Sequence, residues 1–206
     1  MSLATLKDTL APGDTIEVEG LTFHPSDTNI LSHGVADAMV RVRGGKTVRF
    51  DEAQRENDTF VHVASVTAKN AAEGKLIHKG IVLEADYECI YLAATCTFGG
   101  STWLRYKTAS VVDATSLPNF IPVRPAEKEE EEVDGNTYKT RDPISKIGGN
   151  PNRCVWVYVR WASKIYYSDA LKVRISKEKY SAEMVDVIRD EIERHRHMES
   201  NGSGEL

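Results

Sequence analysis

Cysteines are scarce in this chain, long apolar runs are absent, and there is no excess of positive charge. Cys89, Cys96 and Cys154 are the only three cysteines among 206 residues, and no two form a C-x-x-C clip. An odd, unclipped set argues against a disulfide scaffold or a zinc ribbon and for buried thiols in a reducing compartment. No stretch approaches the roughly 18 apolar residues of a membrane span, and no basic segment followed by an apolar one opens the chain. The expected setting is soluble and intracellular, with no membrane partner. Lysine and arginine number 26 against 31 acidic residues, a formal charge of −5, so any anion binding must be local rather than a property of the whole surface.

Catalytic signatures are missing too. The histidines at 24, 33, 62, 78, 195 and 197 form no His-Glu-x-x-His pattern, and His195 and His197 fall on different sides of a helix. Zinc is therefore not expected. No Gly-x-Ser-x-Gly elbow and no complete Gly-x-Gly-x-x-Gly fingerprint occurs. No cofactor, no metal and no reaction can be named, and a non-enzymatic role is the expectation.

What is present is strand-like. Hydrophobic residues make up 41% of the chain and charged residues 28%, enough apolar material for a sizeable core. "DTIEVEGLTF" (14–23) alternates with period two after Pro12-Gly13, and "DTFVHVASVTA" (58–68) behaves similarly. "GIVLEADYECIYLAATCTF" (80–98) reads as two strands or one bent strand. Gly99-Gly100 then reads as a hairpin turn that sets Cys96 opposite Trp103. "CVWVYVRW" (154–161) is apolar on both faces, the mark of a central strand, and "DALKVRI" (169–175) is expected to follow it as another.

"VRVRGGKTVRF" (40–50) carries Gly-Lys-Thr, but the first glycine of a phosphate loop falls on Val40 and a strand pattern follows. A hairpin about Gly44-Gly45 is the better reading. It pairs Arg43 with Lys46 and Arg41 with Val48, placing Arg41, Arg43 and Lys46 on one face as a candidate anion site, for a nucleic-acid phosphate or for the protein's own glutamates.

Residues 117–152 combine Pro118, Pro122, Pro125, Pro143, Pro151 and the glycine pair Gly148-Gly149 with the run "AEKEEEEVDGN", the composition of a solvated loop. From Ser181, a helix N-cap residue, Met184, Val185, Ile188 and Ile192 fall on one stripe, docking either on this chain's sheet or on another subunit. Arg194, His195, Arg196 and His197 suit the negative end of that helix. The expected layout is a β-rich part over 1–116, a loop or linker over 117–152, and two strands plus a helix over 153–200 that complete the same domain. A flexible tail follows over 201–206. The fold class is mainly β, an antiparallel sandwich or barrel-like form, with one C-terminal amphipathic α-helix.

"CVWVYVRW" followed by "IYYSDALKV" (165–173) resembles the bromo-adjacent homology module, a β-rich chromatin-binding fold, with "GDTIEVEG" (13–20) and "FVHVASV" (60–66) standing for its opening strands. The resemblance covers about fifty residues. It implies a nuclear, non-catalytic module that recognises a protein tail such as that of a histone, or a nucleic acid. Trp161 matches a position that lines an aromatic cage in members reading methylated lysine; Tyr166 and Tyr167 lie beside it, and the three are the candidate peptide-binding residues. The other expectation is a structural or assembly subunit, such as a viral or phage virion component that self-associates through its last helix.

Overall fold

A computed structural model describes residues 9–18, 21, 39–42, 47–49, 60–63, 78–97, 114–168, 171 and 173–202. In chain order its strands are β1 (Asp14–Val18), β2 (Met39–Val42), β3 (Thr47–Arg49), β4 (Phe60–Val63), β5 (His78–Ala85), β6 (Cys89–Cys96), β7 (Phe120–Val123), β8 (Glu130–Val133), β9 (Asn136–Lys139), β10 (Val155–Tyr166) and β11 (Val173–Lys179). A 3-10 turn over Ala114–Asn119 precedes β7, and one helix, α1 (Ala182–Gly202), ends the described chain. The protein is mainly β and antiparallel with one C-terminal helix, as the period-two segments and the period switch at Ser181 predict. Among the described residues no helix is long and apolar enough to cross a membrane.

Six strands form one sheet in the order β11-β1-β5-β6-β10-β7. Its two edges are joined by the segment 144–147. At β7 the Ile144 amide donates to Pro122 O (3.0 Å) and Ile144 O accepts from the Arg124 amide (2.9 Å); at β11, Ile147 and Lys179 exchange both backbone hydrogen bonds (2.7 and 2.9 Å). These bonds cover both edges with the chain's own backbone, which removes the usual template for edge-to-edge pairing at those points.

The sheet is bent by bulges. On β10, Val157 pairs with Thr95 and Ala162 with Ala93, so Tyr158–Trp161 lie across from the single residue Ala94. On β11, Lys179 pairs with Asp14 and Ile175 with Ile16, leaving residues 176–178 across from Thr15. Such insertions bend and twist the strand that carries them. Gly149 packs against the Glu178 side chain in the second bulge: its φ is +71°, and a Cβ there would stand 2.2 Å from Glu178 Cγ. Only glycine meets both demands.

Both faces of the sheet are buried along the first half of β10, which explains why Val155–Val159 is apolar at every position. Ile16, Val82, Leu92, Phe120, Trp156 and Tyr158 lie in one cluster, with the rings of Phe120 and Tyr158 edge to face at 5.8 Å. Ile81, Ala93, Val123, Val157 and Val159 lie in the other, and α1 covers it with Val185, Ile188 and Ile192. Burial of each of these helix side chains contributes about 1.5–3 kcal/mol. The helix stripe therefore docks on this chain's own sheet. Ser181 caps the helix: its Oγ accepts from the Met184 amide (3.4 Å) and its carbonyl from the Val185 amide (3.0 Å). The helix runs on to Gly202 with no basic residue in its last turn, so Arg194–His197 do not cap it. Arg194 pairs with Glu191 (2.8 Å) and Arg196 with Glu193 (2.9 Å) instead, and His195 is buried.

Three sequence expectations change. Residues 117–152 are not one loop: they hold β7, the hairpin β8–β9 and the edge-joining segment. The prolines tolerate this because β7 is a short edge strand, and because the glutamate run forms a hairpin with exposed Glu130 and Glu132 while its neighbour Glu129 is buried. The strand expected over 169–175 begins at Val173 and runs to Lys179. In the 40–50 stretch, β2 and β3 pair Arg41 with Thr47 and Val40 with Val48, one residue away from the expected register. The grouping of Arg41 with Arg43 and Lys46 as an anion site depends on residues beyond these pairs. Arg43 and Lys46, like the Gly99-Gly100 turn and Trp103, lie outside the described residues; Cys96 pairs with Trp156 of β10.

Candidate functional site

Among the described residues, the exposed end of β10 and its neighbours bring exposed aromatic and charged groups together. Strands β5 and β6 are joined by a tight turn organised by Asp86, whose Oδ1 accepts from the amides of Glu88 and Cys89 (2.7 Å each). The Cys89 and Glu88 amide bonds hold the Asp86 carboxyl below the usual range. Tyr87 stands exposed at the tip. Register then builds a row across three strands, since Tyr91 of β6 is opposite Glu84 of β5 on one side and Lys164 of β10 on the other. Side chains opposite one another share a face, and Tyr166, two residues past Lys164, joins it.

The result is a lysine between two tyrosines. Lys164 Nζ lies 4.9 Å from the centre of the Tyr166 ring and 5.4 Å from that of Tyr91, within the roughly 6 Å over which a ring quadrupole attracts a cation. Hydrogen bonding to Tyr166 and then to Tyr91 raises the Lys164 pKa above its ordinary value. Tyr166 is 61% exposed, and Glu84, Asp86 and Glu88 are exposed carboxylates at the same end of the sheet. Trp161, 41% exposed, stands in the β10 bulge farther along the strand.

Of the three expected peptide-binding residues, Tyr166 and Tyr167 separate. Tyr166 faces the surface with Lys164, whereas Tyr167 packs against the other core cluster and its amide donates to Glu88 O (3.0 Å). They do not form one cage, because successive strand residues point to opposite faces. Tyr91, Lys164 and Glu84 were not singled out in the sequence. The signal for them is register between strands far apart in the chain.

Two further polar clusters are built into the fold. Glu178, in the β11 bulge, is buried and meets Lys79 Nζ at 3.0 Å and Lys146 Nζ at 3.4 Å. Burial opposes its charge, but Lys79 and Lys146 outweigh burial and hold its carboxyl below the usual range. His195 of α1 contacts Pro118 O at 3.3 Å and Arg194 at 3.2 Å, and burial, with help from Arg141 and Arg160, lowers its pKa. Both clusters join elements of the fold. Among the described residues no group of three or more His, Cys, Asp or Glu is placed to hold a metal ion, and all three cysteines are buried as free thiols.

No family model, curated protein or solved structure matches the chain.

Proposed function

We propose that the chain is a non-catalytic binding module that takes up a lysine-bearing protein tail on the exposed surface of β6 and β10. Tyr91 and Tyr166 supply the aromatic contacts and Glu84, Asp86 and Glu88 the acidic rim. One observation carries this reading: the surface already holds a lysine ammonium between the rings of Tyr166 and Tyr91. Aromatic faces and carboxylates together favour cations, and the same carboxylates disfavour a nucleic-acid backbone. Histone tails have the required chemistry, and they are the partner that the resemblance to the bromo-adjacent homology module implies.

Calorimetric titration of a lysine-rich peptide tests the proposal, with Tyr166→Ala, Glu84→Gln and a DNA duplex as separate arms. Binding of the peptide, weakened about ten-fold by Tyr166→Ala and less by Glu84→Gln, is the expected result. Equal binding by all three proteins, or a preference for the duplex, overturns it.

A further inference from the structure

We infer that Lys164 is an internal competitor for this surface, filling the seat between Tyr91 and Tyr166 until a lysine of an incoming tail displaces it. The inference rests on the binding reading given above and adds to it a built-in brake on affinity. Three observations carry it. Backbone pairing with Tyr91 fixes where the Lys164 stem starts, and Tyr166 lies two residues on, so the ammonium reaches both rings without any rearrangement of the sheet. Lys164 is exposed, so its flexible stem can swing outward into water. Finally, among the described residues no carboxylate lies within 4 Å of Lys164, unlike Lys79, Lys128, Lys146 and Lys179; Asp86 acts on it only as a more distant charge, and its ring contacts are with the two tyrosines.

These features make the seat exchangeable. Replacing one ammonium by another conserves every cation–ring contact, so displacement involves only the movement of an exposed side chain. A ligand lysine then binds in competition with a tethered one, whose effective concentration is high because it is part of the same strand. Removing the tethered cation should raise the affinity for a lysine-bearing ligand, and keeping a cation there should not.

The test uses the full chain and a synthetic lysine-rich peptide, with its glutamine-substituted counterpart as control, titrated at fixed ionic strength. The proteins are the parent, Lys164→Gln, Lys164→Arg, Tyr166→Ala, the double variant Lys164→Gln/Tyr166→Ala, and Lys177→Gln, which removes another exposed positive charge. About ten-fold tighter binding by Lys164→Gln is expected. Lys164→Arg should stay near the parent, Lys177→Gln should change affinity far less, and the added Tyr166→Ala should cancel the gain. If Lys164→Gln binds no tighter than Lys177→Gln while Tyr166→Ala weakens the parent, the surface binds tails but Lys164 is not its competitor, and the inference is overturned. If Tyr166→Ala changes nothing in either background, the binding reading itself fails and the inference goes with it.

Discussion

Lys146 and Glu178 meet at 3.4 Å with 5% and 8% of their side chains exposed, across the junction where the segment 144–147 lies against β11. Lys146 Nζ also donates to Arg153 O (2.9 Å), and Glu178 is shared with Lys79. Removing one member of a buried pair leaves an uncompensated charge. Glu178→Ala should therefore cost about 3–5 kcal/mol in chemical denaturation. A loss below 1 kcal/mol would show that water reaches both lysines and that the junction is not a closed one.

Acid should act on Glu178 in a defined window. Its folded pKa lies below its ordinary value of 4.5, so its contribution is fully present above about pH 4.5 and is lost as pH falls through the lower, folded value. A Glu178→Gln variant should lose stability at pH 7 and show a shallower further decline below pH 4.5 than the parent. Parallel curves for the two proteins would remove Glu178 as the source.

His195 should act at higher pH. Its folded pKa lies below the ordinary 6.5, so the unfolded chain binds the proton more readily and stability falls as pH drops below about 6.5. The groups facing it are Arg194 and Glu199 of α1, Pro118 O, Arg141, and Arg160 of β10. His195→Gln should flatten the denaturation midpoint between pH 7 and pH 5.5, and an unchanged slope would contradict the neutral, buried assignment.

Ile188 is fully buried on the face of α1 that covers the sheet. Ile188→Ala should cost about 2–5 kcal/mol, the range for truncating a buried aliphatic side chain. Light scattering should find the solution mass of the folded variant unchanged, because the helix packs on its own chain. A fall in mass with the fold intact would instead place the stripe between subunits.

Much of the scaffold was legible from periodicity. Val185, Ile188 and Ile192 repeat with the helical period and Ser181 marks the start, so α1 and its buried stripe follow from local rules. The β10 run was legible as a strand, but its bulge was not. With apolar residues at nearly every position from Val155 to Val159, nothing in the pattern records the extra residues opposite Ala94. The strands within 117–152 were hidden for the opposite reason: prolines and glutamates read as loop, yet β7 needs few backbone donors and the glutamate hairpin turns Glu130 and Glu132 to water. The register of β2 and β3 missed by one residue, because a glycine pair admits more than one turn length. Glu84, Tyr91 and Lys164 stayed invisible because each is an ordinary strand residue until pairing sets them in a row, and Lys146 and Glu178 meet only through a junction between distant segments.

The most direct measurement is amide and side-chain NMR of the full chain during titration with a lysine-rich peptide. The account predicts that signals of Glu84, Tyr91, Lys164 and Tyr166 move first and saturate together, with the buried residues of α1 unmoved. Shifts centred on the basic residues 41–49, or on α1, with the β10 surface silent, would contradict it.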